Sequence, residues 1–280
     1  MIHSMRYIAL FFLVILIGCS KPEEPILRLA TTTSVNDTGL LDLLSTVLLK
    51  EKGNIELQWV SVGTGKALEL GKNCDVDLVL THMPTAEEKA IASGGLKERT
   101  PIMYNYFVLV GPSSLKEKVE GTSVSEVLQD VSKNQYPFIS RGDASGTHQK
   151  EIELWQAINI PKEELTTPWY METGQGMLQT LVVADEKEGF TLTDIATWAK
   201  FQDAYPNSRL VAYVDNDESL KNIYSTLFVD KERCPKVKDE LAREFVSWLT
   251  SKSTQEFIGA YRLQYKNVFF PLYIEEMPKE

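Results

Sequence analysis

Short apolar segments alternate with amphipathic segments through most of the chain. The amphipathic segments place apolar side chains three and four residues apart, which predicts helices, and the apolar segments between them predict strands. This alternation is typical of an α/β protein whose sheets are covered by helices on both faces. The predicted strands are 26–30, 55–62, 76–80, 104–110, 138–140, 210–214 and 223–229. The predicted helices are 39–50, 86–93, 124–133, 147–158, 176–186, 194–201, 237–250 and 254–261.

Two of the apolar segments predict where the chain crosses between lobes. These are 103–112, about a third of the way along, and 222–229, near the end. If the chain leaves one lobe at the first segment and returns at the second, the two strands form a hinge with a cleft beside it. We therefore predict lobe I over 26–106 plus 224–280, and lobe II over 107–223.

The first residues have the pattern of an export signal. Arg6 precedes an apolar run over 8–18, which is short for a membrane span. The run ends in L-I-G-C, which resembles the lipobox of bacterial lipoproteins and implies a signal over 1–19 that ends at a lipidated Cys19. Residues 20–25 are then a polar tether.

Composition and charge narrow the function further. The chain has 280 residues and a formal net charge of −10, so it lacks the basic excess that a nucleic-acid-binding protein uses against phosphates. Any anion site must therefore be built locally. Cys74 and Cys234 form a disulfide or remain two separate buried thiols, and their spacing does not decide between these.

Clusters of hydrogen-bond donors follow several predicted strands and precede helices. The cluster S-R-G-D-A-S-G-T-H, from Ser140 to His148, combines an always-charged guanidinium with hydroxyls and a helix N-terminus. Similar junctions are A-T-T-T-S-V-N-D-T-G at 30–39, S-V-G-T-G-K at 61–66 and E-T-G-Q-G-M at 172–177. Each cluster alone is explained by helix capping or a glycine turn, and Arg141 alone by a surface pair with Asp143. Together they predict one small anion held between the lobes.

The second cluster is neither of two common phosphate-binding motifs. A P-loop would need glycine at Val60 and a hydroxyl at Ala67, and the third glycine of a dinucleotide fingerprint would fall on Leu68. The cluster therefore predicts no nucleotide site.

Seven motifs, in order along the chain, resemble the tungstate-binding proteins of bacterial tungstate ABC transporters. They are T-T-T-S (31–34), V-G-T-G-K-A-L (62–68), V-D-L-V-L-T-H-M-P (76–84), M-Y-N-Y-F-V-L-V-G-P (103–112), S-R-G-D-A-S-G-T-H-Q-K-E (140–151), E-T-G-Q-G-M (172–177) and E-G-F-T-L-T-D-I-A-T-W (188–198). The resemblance implies a type II periplasmic-binding-protein fold with two α/β lobes, a two-strand hinge and the ligand in the interlobe cleft. It also implies a binding protein without catalysis or cofactor.

The resemblance implies a site, a ligand and a partner. The ligand is tungstate, with molybdate as a second candidate, and the partner is an ABC permease at the outer face of a bacterial membrane. We expect a lipid-anchored monomer. The expected oxyanion-binding residues are Thr32, Thr33, Ser34, Thr64, Arg141, Ser145, Gly146, Thr147 and Thr173. Ala144 and Ile195 stand where relatives often carry an acidic residue and an arginine.

Hydrogen-bond chemistry distinguishes tungstate from phosphate. Tungstate is fully deprotonated near neutral pH and is best bound by donors alone, whereas phosphate keeps a proton and favours a carboxylate acceptor. We therefore expect Asp143 to turn from the ligand, bracing Arg141 or capping the following helix. If Asp143 faces the ligand, a phosphate-binding lipoprotein of the same fold is the alternative. An enzyme acting on a small anion, with a Cys74–His82 nucleophile pair, is the remaining alternative.

Overall fold

The computed structural model describes residues 25–53, 55–166, 168–263 and 266–273. The predicted signal, Cys19 and residues 20–24 of the tether lie outside this part of the chain. The strands are β1 Ile26–Thr32, β2 Glu56–Val62, β3 Leu78–Thr81, β4 Leu96–Pro112, β5 Phe138–Ser140, β6 Tyr170–Glu172, β7 Thr191–Asp194, β8 Leu210–Val214, β9 Lys221–Val229, β10 Arg262–Leu263, β11 Lys266–Asn267 and β12 Phe270–Pro271. The helices are α1 Thr33–Asn36, α2 Leu40–Lys52, α3 Thr64–Lys72, α4 Pro84–Ala92, α5 Val124–Asn134, α6 Gly146–Ala157, α7 Met177–Lys187, α8 Ile195–Ala204, α9 Asp239–Leu249 and α10 Lys252–Ala260.

Lobe I contains a mixed sheet in the order β2-β1-β3-β9-β4, with β12 on the outer edge of β4. β1 pairs in parallel with β2 and β3, and β9 runs antiparallel to β3 and β4. Side chains alternate across β1, so Leu27 and Leu29 pack with α2, α9 and α10 while Ala30 packs with α3. The sheet is therefore covered on both faces, as its apolar strands predict.

Lobe II repeats this layered arrangement around the second part of β4. Phe107 and Leu109 pack with α5 and α6, whereas Val108 and Val110 pack with α7 and α8. β7 and β8 flank this part of β4, and a bridge from Phe138 to Phe190 joins the parallel pair β5 and β6 to the lobe. Both faces of this strand are thus buried.

β4 changes partners where the chain passes between the lobes. Tyr106 pairs with Lys221 of β9, and the next residue, Phe107, pairs with Asp194 of β7. β9 supplies the second connection, because Asn222 lies opposite Asn105. This change of partner supports the proposed division at 106/107, and the exact lobe boundaries stay a prediction.

Several elements differ from the sequence-based prediction. β4 begins at Leu96 rather than 104, because its charged first half with Pro101 lacks an apolar pattern and is bulged at two places. β6 and β7 are absent from the predicted strands, since each is short and polar in part. α3 is predicted only as the helix that follows the donor cluster at 61–66, without bounds. α9 begins at Asp239 rather than 237.

A disulfide joins Cys74, which follows α3, to Cys234, which follows β9, with a Cα–Cα distance of 5.5 Å. Cys74 and Cys234 therefore form a disulfide and are not two separate buried thiols, the two states that the sequence left open. The bond also excludes the Cys74–His82 nucleophile pair, because a sulfur held in a disulfide is not a thiolate. No helix in the described ranges has both the length and the apolar character that a membrane span requires.

Candidate anion-binding site

A cavity of 320 Å³ lies between the lobes, at the carboxyl ends of strands from both. Ligands of α/β proteins bind at such strand ends, where helix N-termini also converge. Lobe I lines the cavity with Thr32, Thr33, Ser34, Val62, Gly63, Thr64, Gly65, Lys66 and His82, and lobe II with Arg141, Asp143, Ala144, Ser145, Gly146 and Thr147. The structure thus brings together all the predicted oxyanion-binding residues except Thr173.

Backbone amides contribute donors to this cavity because two helices begin at its wall. α6 starts at Gly146, and the Ser145 hydroxyl caps it by accepting from the His148 amide at 3.3 Å. α3 starts at Thr64 after Gly63, which has no capping side chain. Ser145 occupies only the His148 amide of α6, so the Gly146 and Thr147 amides and the first amides of α3 remain available to an anion. The helix dipoles favour negative charge there.

Arg141 is the permanently charged group of the cavity wall in lobe II. Its guanidinium donates to an Asp143 oxygen at 2.5 Å and to the Thr147 hydroxyl at 3.4 Å. Its Nε atom is buried and has no hydrogen-bond partner among the described residues. A buried donor without an acceptor is unfavourable unless a ligand completes it. Asp143 and Thr147 therefore fix the position of the guanidinium, and its Nε–H is free to donate to a ligand.

Asp143 is engaged by protein groups through both carboxylate oxygens. One accepts from Arg141, and the other accepts from the Ser145 amide at 3.1 Å. Burial disfavours the charged carboxylate, but the hydrogen bonds from Ser145 and the charge of Arg141 outweigh burial and lower its pKa below the usual value. Asp143 lines the cavity, and it both braces Arg141 and caps the start of α6, the two roles that the sequence predicted as alternatives.

Thr173 contacts the backbone of the loop that carries Arg141 and does not line the cavity. Its amide donates to the Ser140 carbonyl at 2.9 Å, and its hydroxyl lies within hydrogen-bonding distance of the Ser140 and Arg141 carbonyls. The hydroxyl also lies 3.0 Å from that of Thr180. The structure therefore gives Thr173 a position from which it orients the loop, and its contact with the ligand stays a prediction.

The wall in lobe I contains a chain of hydroxyl groups that ends at a half-buried histidine. The Thr32 and Ser34 hydroxyl oxygens are 3.0 Å apart, and the Ser34 oxygen lies 3.0 Å from Nε2 of His82. From the sequence, His82 is a candidate only as the partner of Cys74 in a nucleophile pair. Its place directly after β3, next to the strand that ends in the T-T-T-S cluster, was the signal that could have assigned it to this wall.

The chemistry of the cavity is that of a small-anion site. Hydroxyls, helix amides and a guanidinium converge on it, and its one lining carboxylate is already paired. Within the described residues no group of three or more histidine, cysteine, aspartate or glutamate side chains is placed to hold a metal ion. The donors therefore suit an oxyanion with several acceptor oxygens.

Two α/β lobes joined by two crossing strands, with a donor-lined cavity between them, define a solute-binding protein of the type II periplasmic fold. The model of the PBP superfamily domain matches residues 20–253. A relative from Campylobacter jejuni, the tungstate-binding protein TupA, is 40% identical over 240 residues, which are 84% of this chain and 87% of that protein.

Solved structures agree with this relationship. The tungstate-binding protein TupA from Desulfovibrio alaskensis G20 is 45% identical with a TM-score of 0.83, and the match covers 89% of this chain and 99% of that one. The tungstate ABC transporter structure from Geobacter sulfurreducens is 34% identical with a TM-score of 0.70, covering 84% and 98%. The chain belongs to the family of these TupA proteins, within the PBP superfamily.

Proposed function

We propose that this protein binds tungstate in the interlobe cavity and delivers it to an ABC permease for uptake. The observation that carries the proposal is the Arg141 guanidinium, whose buried Nε lacks an acceptor beside hydroxyls and helix amides from both lobes. Membership of the TupA family supports the choice of tungstate.

The state of Asp143 favours an anion that carries no proton. Its two oxygens each already accept a hydrogen bond, one from Arg141 and the other from Ser145. A protonated oxyanion such as phosphate needs an acceptor in the site, so phosphate is the alternative ligand if Asp143 accepts a further hydrogen bond from it. Molybdate has the charge of tungstate and nearly its size, and we keep it as a second ligand.

Binding by both lobes gives a route from ligand capture to delivery. Thr32, Thr33, Ser34 and Thr64 contact the anion from lobe I, and Arg141 with the start of α6 contacts it from lobe II. A ligand that bridges both lobes stabilises the closed arrangement relative to an open one. The permease then recognises the closed form, and a separate subunit hydrolyses ATP. The protein acts as a monomer, without catalysis and without a cofactor.

In this role the protein lies outside the cytoplasm. Residues 1–19 direct export, Cys19 carries the lipid that anchors the protein to a bacterial membrane, and residues 20–25 separate the anchor from lobe I. Mass spectrometry of the membrane-extracted protein tests this part, since it would find a diacylated N-terminal Cys19. An unmodified N-terminus at Met1 would contradict it.

Calorimetric titration of purified residues 20–280 tests the ligand. We expect tungstate to bind tightly in the presence of excess sulfate and phosphate, and Arg141→Ala to weaken binding by about 100-fold or more, because a charged hydrogen-bonding partner of a buried anion is lost. Preferential binding of phosphate would instead support the phosphate alternative.

Arg209→Ala is the matched control. Arg209 also lies in lobe II and pairs with an acidic side chain, Glu188, but it is exposed and does not line the cavity. We expect this variant to bind tungstate like the wild type. An equal loss of affinity in both variants would show that Arg141 acts through general stability rather than through the ligand.

A further inference from the structure

His82 lies between the lobe I wall of the cavity and the two strands that connect the lobes. Its Nε2 is 3.0 Å from the Ser34 hydroxyl, and its Nδ1 is 2.9 Å from the side-chain oxygen of Asn222 in β9. The Tyr224 ring packs on it at 4.8 Å between centroids. A methyl group built on Gly146 would lie 3.1 Å from its Cε1, so the start of α6 closes over the ring.

The orientation of Asn222 determines which nitrogen of His82 carries a proton. The Asn222 amide nitrogen donates to the Asn105 side-chain oxygen at 2.8 Å and to the Tyr224 hydroxyl at 3.3 Å. The Asn222 oxygen therefore faces His82 as an acceptor, and Nδ1 of His82 must donate to it. In a neutral ring Nε2 then carries no proton and accepts a hydrogen bond from the Ser34 hydroxyl.

Neutral His82 leaves Ser34 unsuited to a fully deprotonated anion. The single hydroxyl proton of Ser34 is directed at Nε2, so Ser34 presents only lone pairs to the cavity. Protonated His82 reverses this arrangement, because both ring nitrogens are then donors. Nε2 donates to the Ser34 oxygen, and the Ser34 proton is free to turn toward the ligand or toward the Thr32 hydroxyl 3.0 Å away.

We propose that His82 is a positioning residue that takes up a proton when a fully deprotonated oxyanion binds, and so converts Ser34 into a donor to that anion. This inference rests on the proposed function. The protonation state of one half-buried ring then selects between ligands. An oxyanion that carries its own proton can donate to Ser34 while His82 stays neutral, whereas tungstate requires the charged ring.

The charges around His82 are consistent with such an exchange. Burial is the largest effect and lowers the pKa of His82 below its usual value, and Arg141 lowers it further. The hydrogen bond to Asn222 and the charges of Asp194 and Glu87 act in the opposite direction. A dianion in the same cavity offsets the charge of Arg141 and raises the pKa of His82.

The direction of the pH dependence follows from these shifts. The ring is neutral in the free protein at a pH above its lowered pKa and charged in the complex below its raised pKa. Between the two values the binding of each anion is accompanied by the uptake of one proton by His82, so tungstate affinity falls as the pH rises. The slope approaches tenfold per pH unit if the exchange is complete.

Calorimetry in buffers of different ionisation enthalpy measures this uptake directly. With tungstate and residues 20–280 near neutral pH, we expect up to one proton taken up per anion. His82→Gln keeps an amide donor that can reach Ser34 but does not titrate, so we expect it to bind tungstate within about tenfold of the wild type and to lose the uptake.

His148→Gln and Glu151→Gln are the matched controls. His148 is the other histidine of the described residues, and burial lowers its pKa below the usual value. Burial raises the pKa of Glu151 to about 7, so that carboxyl titrates near neutral pH. Proton uptake should persist in both variants. Uptake that disappears in a control and persists in His82→Gln would overturn the assignment to His82.

Nitrogen chemical shifts of the histidine rings provide a second measurement on the unaltered protein. Addition of tungstate should change Nε2 of His82 from an unprotonated to a protonated nitrogen. Tungstate binding without proton uptake and without this change would overturn the inference and leave the proposed function intact. A failure to bind tungstate at all would contradict the proposed function, and the inference with it.

Discussion

At the scale of single residues, a left-handed backbone at Gly142 shapes the loop that carries Arg141. Gly142 has a φ of 59°, and a methyl group built on it would lie 2.6 Å from Cβ of Glu172. The position therefore excludes a side chain on grounds of both conformation and space. Gly142→Ala should displace Arg141, lower tungstate affinity by about tenfold or more and destabilise the protein by more than about 1 kcal/mol. Calorimetry and urea unfolding measure the two effects.

Gly53→Ala is the control, because it introduces conformational strain without a steric clash. Gly53 has a φ of 66° at the end of α2, and nothing lies within 4 Å of the position of its added methyl group. This variant should lose about 1 kcal/mol of stability and keep its affinity. Equal affinities in Gly142→Ala and the wild type would contradict the argument that loop geometry positions Arg141.

At the scale of elements, Asp77 ties together β1, the start of β3 and the start of α9. Its carboxylate is fully buried and accepts from the Arg28 guanidinium at 2.8 and 3.1 Å, from the Arg28 amide at 2.9 Å and from the Lys238 amide at 3.1 Å. Because Arg28 is partly exposed, we expect Asp77→Asn to cost about 2 kcal/mol in the free energy of unfolding rather than the larger cost of a fully buried pair. Urea unfolding of the wild type and of Asp77→Asn at neutral pH measures this difference in the free energy of unfolding.

The contribution of Asp77 has a defined pH dependence. Burial opposes its charged form, but the hydrogen bonds from Arg28 and Lys238 prevail and lower its pKa below the ordinary value of 3.8. The stabilisation is therefore fully present above that value and is lost as the pH falls through the lowered pKa. The difference between the wild type and Asp77→Asn should shrink on acidification. Asp75→Asn, an exposed neighbour, should show a much smaller difference.

At the scale of the whole molecule, the Cys74–Cys234 disulfide links two segments that are 160 residues apart in sequence. Both cysteines lie in lobe I, and neither lines the interlobe cavity. Replacing both by serine should lower the free energy of unfolding by roughly 2–5 kcal/mol, because a long loop is no longer closed in the unfolded chain. Tungstate affinity should stay unchanged. A large loss of affinity in the folded variant would show that the bond also shapes the cavity.

The two strands that cross between the lobes, β4 and β9, also position His82. Asn105 in β4 and Asn222 in β9 are paired in register, and Asn222 orients the His82 ring. Apolar pattern alone predicted both crossings. It gave no indication that their polar residues form a hydrogen-bond network, since a lone asparagine within a strand has no periodic signature.

Hydrophobic periodicity and local turn chemistry are properties of neighbouring residues, so the order of amino acids is enough to predict the α/β class, most strands and helices and the donor clusters around Arg141. Which of these clusters share a cavity depends on the order of the strands in the sheets, which the fold alone shows. The fold also places His82 beside Ser34, Thr173 against the backbone of the Arg141 loop and Cys74 against Cys234. These contacts link residues far apart in the chain, and no local pattern encodes them.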